Sequence, residues 1–580
     1  MRLKFNSAHF TLLAILLIIG WAVFGYQALF HSGLYSAHDI WHQVARFYHY
    51  SQALNQGQLL PTWISNLANN HGYPLFLFSY HLPWLIGTPL LWLGLSLPTA
   101  LKSLFLFSVI GSGLTMYGLA QSWLQDRRAA LLSALVYIWA PYHFLTVFVS
   151  AAIGTAFAFM FVPLIFWGLL LLDQKKLRSG LIFTSLGVAG MALSHLMTLV
   201  MISPLLGLVV FALIWQRLNK PILKQRGLAL RYLAMFLLAG ILGLGLAGFY
   251  LLPMLKYLPL IKANSQSGFT DIYASNFVNF KQLIYSPWGY GPIISNAKHG
   301  EISFQVGMVQ WLGVGLSLGL LSFYWLKLKS YLPQTLKKLA QQIIQDQQTL
   351  ATPLLLMIGF ATTVFFMLDY SQPVWKLINQ FITLDYPFRL LLMAVFFASL
   401  LLGWFLSCLK NHKLQLVLIS GLMLITWYTN RNHVRVNMYT KIPVAVYVDA
   451  ETTTNTFHEY LPAQADSSLL NKADYWLDPA SAEVLNHQQT TAQLDLTVQV
   501  DTATTVSLQQ FAFPGQTLYL DGQLQDYQVD GQGRIKVNLP VGEHALMVKF
   551  EQTKIILIGK LVSLLAILLL VGINFYEQKK

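Results

Sequence analysis

Charge is scarce in this chain. Only 10% of its 580 residues are Asp, Glu, Lys or Arg, against about a quarter in soluble domains. That shortage excludes a large solvated globular protein. There is one cysteine, Cys408, so no internal disulfide framework exists and the thiol reads as a small buried apolar group. No P-loop and no zinc-ligand spacing occur. No segment expected in the cytoplasm is long enough to fold a nucleotide-binding domain. Acids are rarest of all. Residues 1–430 hold eight, Asp39, Asp126, Asp173, Asp271, Glu301, Asp346, Asp369 and Asp385, and the other fifteen follow. This shift in composition marks the main predicted boundary.

What is abundant is apolar: 55% of the residues are hydrophobic. Several runs exceed the roughly 18 residues needed to cross a bilayer. Twelve spans are expected, near 9–30, 98–123, 129–149, 155–173, 180–195, 197–216, 228–253, 303–326, 351–368, 388–409, 413–429 and 554–576. The first has too long an apolar core and too poor a cleavage site for a signal peptide, so it reads as a retained helix. A further apolar stretch, 74–97, carries three prolines with Ser79, Tyr80 and His81. Counting it as a span would send every basic cluster from Arg127 onward outside, against the positive-inside rule. It is therefore expected to lie in or re-enter the outer interface. The net charge of +14 follows from those cytoplasmic clusters and does not call for nucleic acid.

This topology leaves two long outer loops, 31–97 and 254–302, and an outer segment, 430–553. In the first loop, Ile40, Val44 and Phe47 recur at helical spacing, with His42, Gln43 and Arg46 around the rest of the wheel, which predicts an amphipathic interfacial helix. In the last segment "AQLDLTVQVD" and "GRIKVNLPVGEHALMVKFE" alternate polar and apolar residues, with Gly, Pro and Asp-Gly turns between strands. A small extracytoplasmic β-sandwich is expected there. The division predicted is 1–429 membrane domain, 430–553 β-rich domain, and 554–580 final helix with a short tail. "GLGLAG", residues 243–248, fits a dinucleotide-binding pattern. It sits inside an apolar run, so close helix packing is the better reading.

The unusual polar groups collect on the expected outer face. They include Asp39 with His38, "NNHGYP" with Tyr73, His195, Lys281, "SPWGYG" with Trp288, Glu301, and "LDYPFRL" with Asp385 and Arg389. Singly each is explained by loops or aromatic belts; together they outline a site.

In this light the chain resembles the GT-C membrane glycosyltransferases, and more narrowly the YfhO-like bacterial branch once labelled 6-pyruvoyl-tetrahydropterin-synthase-related. The resemblance is carried by an ordered set: "HDIWHQVARFYHYSQALNQGQLLPTW", "HGYPLFLFSYHLP", "LSHLMT", "GFYLLPML", "SPWGYG", "SFQVG", "YPFRLL", "HEYLPAQ", "FPGQTLYLDG" and "PVGEH". It implies a helical GT-C fold in a bacterial plasma membrane. It also implies a polyprenyl-phosphate-linked sugar donor, a cell-envelope glycan, glycolipid or protein as acceptor, and surrounding membrane lipids as partners. Asp39 takes the role of catalytic base. Arg389 is the first candidate for the donor phosphate, with His195 and Lys281 behind it; His38, Tyr73, Trp288, Glu301 and Asp385 complete the expected substrate surface. No metal and no cofactor are expected, because the carboxylates are scattered. Two positions depart from the pattern. "SAAIGTAF" has Thr155 where an acid is usual, and Gln516 stands where an aromatic usually follows "FPG". A non-catalytic glycan-binding scaffold is therefore the second reading. A lipid-linked sugar transporter comes third, since the spans are nearly free of charge at their centres.

The twelve-span topology places Lys176 in the cytoplasm. A cysteine introduced there should be shielded, in sealed cells, from an impermeant thiol reagent added outside. Labelling from outside would overturn the count.

Overall fold

The computed structural model describes residues 7–218, 226–264, 272–292, 302–328, 350–448, 458–472, 475–478 and 482–576. They form a bundle of apolar helices, a layer of loops and short helices over one end of it, and two β-sheets beyond that layer. Six helices are long and apolar enough to cross a membrane: Leu97–Leu124, Ile153–Asp173, Leu177–Trp215, Met308–Lys327, Pro387–Ser407 and Lys554–Phe575. Three bent pairs also qualify if each is read as one span. These are Arg127–Ile138 with Pro141–Val149, Leu230–Leu246 with Gly248–Leu260, and Ala351–Met367 with Asp369–Asn379, bent by 45°, 76° and 87°. His9–Gly25 is apolar but shorter. The chain is a multi-pass membrane protein.

Where the sequence predicts two spans at 180–195 and 197–216, the backbone runs as one helix, Leu177–Leu218, of 42 residues. At 1.5 Å per residue that is about 63 Å, twice the roughly 30 Å of a hydrocarbon core. His195 breaks it, with φ −154° and ψ 74°, and the two halves match the two predicted spans. The 74–97 stretch has only one helix of any length, Leu82–Trp92; its 11 residues cover about 17 Å, too little to cross. In "GLGLAG", Gly243 packs on Val188 and Gly248 on Val562. The motif is thus a contact between helices, as its apolar setting suggests.

The β region is a sandwich. Strands β3 (Leu477–Asp478), β6 (Thr504–Phe511), β10 (Arg534–Leu539) and β9 (Gln528–Val529) form one sheet in the order β3-β6-β10-β9. Strands β4 (Glu483–Gln489), β5 (Gln493–Val500), β11 (Gly542–Phe550), β7 (Gln516–Leu520) and β8 (Gln523–Gln525) form the other, in the order β4-β5-β11-β7-β8. The predicted alternation puts Leu494, Leu496, Val498 and Val500 of β5 into a core shared with Val506, Leu508, Ile535 and Val537 of the facing sheet. A separate two-stranded ribbon pairs β1 (Leu34–Tyr35) with β2 (Tyr439–Thr440).

Glutamines tie the sandwich to the first loop. The Gln489 side-chain amide donates to the Ser65 carbonyl at 2.8 Å, Gln509 to Asn69 at 2.9 Å, and Gln510 to Asn70 at 2.5 Å. Those carbonyls are presented by an unusual backbone: Ala68, Asn69 and Asn70 all have φ near +50° to +60°. Gly72 follows with φ +84°, and a Cβ there would lie 2.2 Å from the Trp63 ring. Trp63 stacks on Phe513 and Phe550 of the β region, at 5.7 and 5.9 Å.

Gly72→Ala therefore meets both a strained backbone and a clash. It should destabilise this junction by about 2–4 kcal/mol and lower the thermal unfolding temperature of the purified protein. An unchanged melting curve would contradict the packing described.

Candidate functional site

Asp39 opens the helix Ile40–Asn55 as its N-cap residue, yet its side chain makes no capping bond. An N-cap Asp normally accepts from an amide of the first turn. Here the carboxylate makes no hydrogen bond or ion pair with any described residue and stays partly exposed. Its backbone is held from elsewhere. The His38 amide donates to the Val149 carbonyl and the Asp39 amide to Ser150, both at 2.9 Å. These acceptors end the bent Arg127–Val149 span, where the backbone widens into a π-type turn, Leu145–Val149, and Ala151 turns left-handed with φ +50°. The break exposes carbonyls that the first loop then satisfies.

One helical face carries the site inward. Asp39, Gln43 and Arg46 are spaced i, i+4 and i+7 and share a face. Gln43 is only 2% exposed. Gln43 thus turns its amide into the protein, while His42 and Arg46 of the same helix stay half-buried. The Tyr80 hydroxyl donates to Gln43 Oε1 at 2.8 Å and also bonds Arg46. Arg46 in turn feels the charges of Asp39 and Glu459 and lies close to Tyr460. The Tyr460 amide donates to the Tyr73 hydroxyl at 3.1 Å, so Tyr73 supports the cleft wall from behind.

The opposite wall comes from the segment before Leu391–Ser407. Arg389 and Asp385 form an ion pair at 2.9 Å, one turn apart, and Arg389 lies over the Tyr386 ring at 5.1 Å from its centroid. Among the described residues this is the one ion pair of Arg389, which leaves further guanidinium donors open. Its charge reaches Asp39, His195 and Tyr142. His195, at the helix break, accepts from the Thr198 amide at 3.1 Å through Nδ1 and so caps the second half. The His81 amide donates to the Leu193 carbonyl at 3.1 Å, fastening the first loop over that break. Gly154 packs against the Ser194 carbonyl, near the His195 and Tyr80 rings, and Thr155 beside it is buried.

The structure thus gathers Asp39, Arg389, Asp385 and His195, with Tyr73 behind them. His38 makes no hydrogen bond to the adjacent carboxylate and acts on it only through space. Its Nε2 donates instead to the Gly291 carbonyl at 2.8 Å, which anchors the second long loop. Trp288 packs against His433 with centroids 4.2 Å apart and the rings tilted by 53°. Lys281 is exposed on the short helix Phe280–Ile284 and makes no contact with the cleft among the described residues. Glu301 and Asp271 lie outside the described residues. Sequence reasoning leaves out Arg46, Tyr80, Glu459 and Tyr460. The i, i+4, i+7 polar stripe is the signal that points to Arg46.

Burial raises the Asp39 carboxyl above its ordinary value. The positive charges of Arg46, His38 and Arg389, in that order, oppose the shift. The group is thus a carboxylate more basic than a solvated aspartate and kept from going further by nearby cations.

No family model matches the chain. A curated relative, an uncharacterized protein of Lactococcus lactis subsp. cremoris (strain MG1363), is 23% identical over 278 residues, which span 47% of this chain and 42% of that protein. Among solved structures, arabinofuranosyltransferase AftD from Mycobacteria is 13% identical, with a TM-score of 0.46, over 76% of this chain and 28% of AftD. The Archaeoglobus fulgidus oligosaccharyltransferase tethered to an acceptor peptide is 10% identical, with a TM-score of 0.40, over 77% of this chain and 56% of that one. The match thus covers less than half of the curated relative and of AftD, and just over half of the oligosaccharyltransferase. What the chain does has to be read from its site and not from these likenesses.

Arg46→Gln removes the cation with the largest effect on Asp39. The carboxyl should then titrate at higher pH, because losing a positive neighbour favours the neutral form. Isotope-edited infrared titration of Asp39 would read this, and Arg46→Lys should restore most of the wild-type midpoint. Identical midpoints in wild type and Arg46→Gln would remove Arg46 from the site.

Proposed function

We propose that the chain is a membrane glycosyltransferase. It moves a sugar from a polyprenyl-phosphate-linked donor to a hydroxyl of a cell-envelope acceptor, at the outer face of a bacterial plasma membrane. One observation carries the reading: an N-cap aspartate whose side chain caps nothing and lies within the electrostatic reach of Arg46 and Arg389. A carboxylate kept off its default partner is available to a substrate.

In this reading Asp39 takes the proton of the acceptor hydroxyl as that oxygen bonds to the anomeric carbon. The bond from that carbon to the phosphate oxygen breaks, and its electron pair leaves with the lipid phosphate. Arg389, steadied by Asp385, meets the growing negative charge. Tyr80, Gln43 and Tyr460 supply hydroxyl and amide groups at hydrogen-bonding positions for a sugar. The lipid tail stays in the bilayer, beside a cleft that lies at a helix end. With the carboxyl shifted upward by burial, transfer declines as pH falls through a range above the ordinary aspartate value.

The second reading, a glycan-binding scaffold without turnover, is favoured by Thr155 alone, which occupies the position where the resemblance leads one to expect an acid.

Asp39→Asn keeps the shape and removes the base. It should lower transfer of labelled sugar from a polyprenyl-phosphate donor by roughly a hundredfold to ten-thousandfold, with folding and membrane insertion intact. Equal transfer by both proteins would eliminate Asp39 as the base. Donor binding without turnover in the wild type would favour the scaffold.

A further inference from the structure

A cavity of about 500 Å³ lies apart from the Asp39 cleft, between the ends of Ser7–Gly25 and His412–Asn430. Phe24, Gln27, Trp139, Trp427, Arg431 and Arg435 line most of it. Its size is that of a small-ligand site. Its walls are aromatic and ordered: Trp139 stacks on Trp21 at 4.2 Å and on Phe24 at 5.6 Å, and its indole N–H donates to the Trp21 carbonyl at 2.9 Å. Its rim is cationic. Arg431 stacks over the Tyr428 ring at 4.2 Å and donates to the Tyr428 carbonyl. Neither Arg431 nor Arg435 meets a carboxylate among the described residues. Both are exposed.

The surroundings say what kind of molecule reaches it. Val23, Phe24, Leu424, Trp427 and Tyr428 expose apolar surface around the cavity. On the ends of helices in a multi-pass membrane protein, that surface faces lipid. Tryptophan and tyrosine favour the headgroup level, and two guanidiniums at that level match a phosphate diester. A water-soluble anion would need no greasy approach, and a neutral lipid would give the arginines no partner.

We propose that this cavity binds the phosphate headgroup of an anionic membrane phospholipid, whose acyl chains run down the exposed faces of Ser7–Gly25 and His412–Asn430. Arg431 and Arg435 hold the phosphate, and Trp139 and Trp427 flank the glycerol. The proposal does not depend on how Asp39 acts. The occupied site would, however, stiffen the segment that frames it. The Tyr290 hydroxyl donates to the Arg435 carbonyl at 2.7 Å, one residue before the Gly291 carbonyl that holds His38. The Ser36 amide donates to the Met438 carbonyl at 2.9 Å, and β2 pairs with β1. The lipid would thus buttress both strands of chain that lead into Asp39.

The test is native mass spectrometry of the full-length, delipidated protein titrated with phosphatidylglycerol, with diacylglycerol, and with inorganic phosphate. Wild type should retain phosphatidylglycerol. The double variant Arg431→Gln/Arg435→Gln should bind it at least about tenfold more weakly, the loss of one or more charge-assisted contacts, at an unchanged melting temperature. Arg431→Lys/Arg435→Lys should recover part of the binding. Equal retention by wild type and the glutamine pair overturns the proposal. So does equal binding of diacylglycerol, which lacks the phosphate. Inorganic phosphate binding as tightly as the lipid would mark a free-anion site and overturn the lipid assignment. If the glutamine pair does not fold, the comparison of phosphatidylglycerol with diacylglycerol on wild type decides the matter.

Discussion

Two backbone hydrogen bonds, from the His38 and Asp39 amides to the Val149 and Ser150 carbonyls, set the position of everything chemical in this molecule. A span that ends in regular helix would leave its last carbonyls to water or headgroups. This one bends by 45°, widens and turns left-handed at Ala151, and its freed carbonyls take the first loop. The loop then starts its helix at the bundle's end, with the polar stripe turned into the protein. Without that anchor the i, i+4, i+7 face would have no cleft to enter, and Asp39 could fold back on its own first turn as N-cap aspartates do.

The second condition is electrostatic. Three carboxylates, Asp39, Asp385 and Glu459, share the cleft with two arginines, Arg46 and Arg389. In a poorly solvated setting each charge needs a partner. The Asp385–Arg389 bridge meets part of that need on one wall. Asp39 is left with long-range attraction in place of a direct bond. Such an arrangement tolerates the loss of the Asp39 charge when a proton is taken up, because no bridge has to break.

Most of the spans are legible in the sequence because each is a long apolar run, and runs are local; of the twelve expected, the described residues give six continuous apolar helices and three bent pairs that qualify. The break at His195 is legible too, since a 39-residue apolar stretch cannot cross once. The sandwich shows in its alternation, and the apolar neighbours of the glycine decoy betray it. The cleft is harder. Asp39 stands out because acids are so rare, and Arg389 because it precedes a span. Arg46 reads as part of a solvated face, since helical periodicity tells which residues share a side but not what covers it. Glu459 and Tyr460 join from more than 400 positions away, through loop packing that no local pattern encodes. The place of His38 is hidden for the same reason: its partner, the Gly291 carbonyl, is a backbone atom with no side-chain signature.

The grip of Gln489, Gln509 and Gln510 on the carbonyls of residues 65–70 has its own consequence. Amide groups neither titrate nor attract counterions, so these three bonds do not weaken as acidity or ionic strength changes. Charged pairs at a surface would be screened by salt. An amide clasp on a backbone bent into place should hold its share of the joint through changes in salt that would loosen an ionic seam.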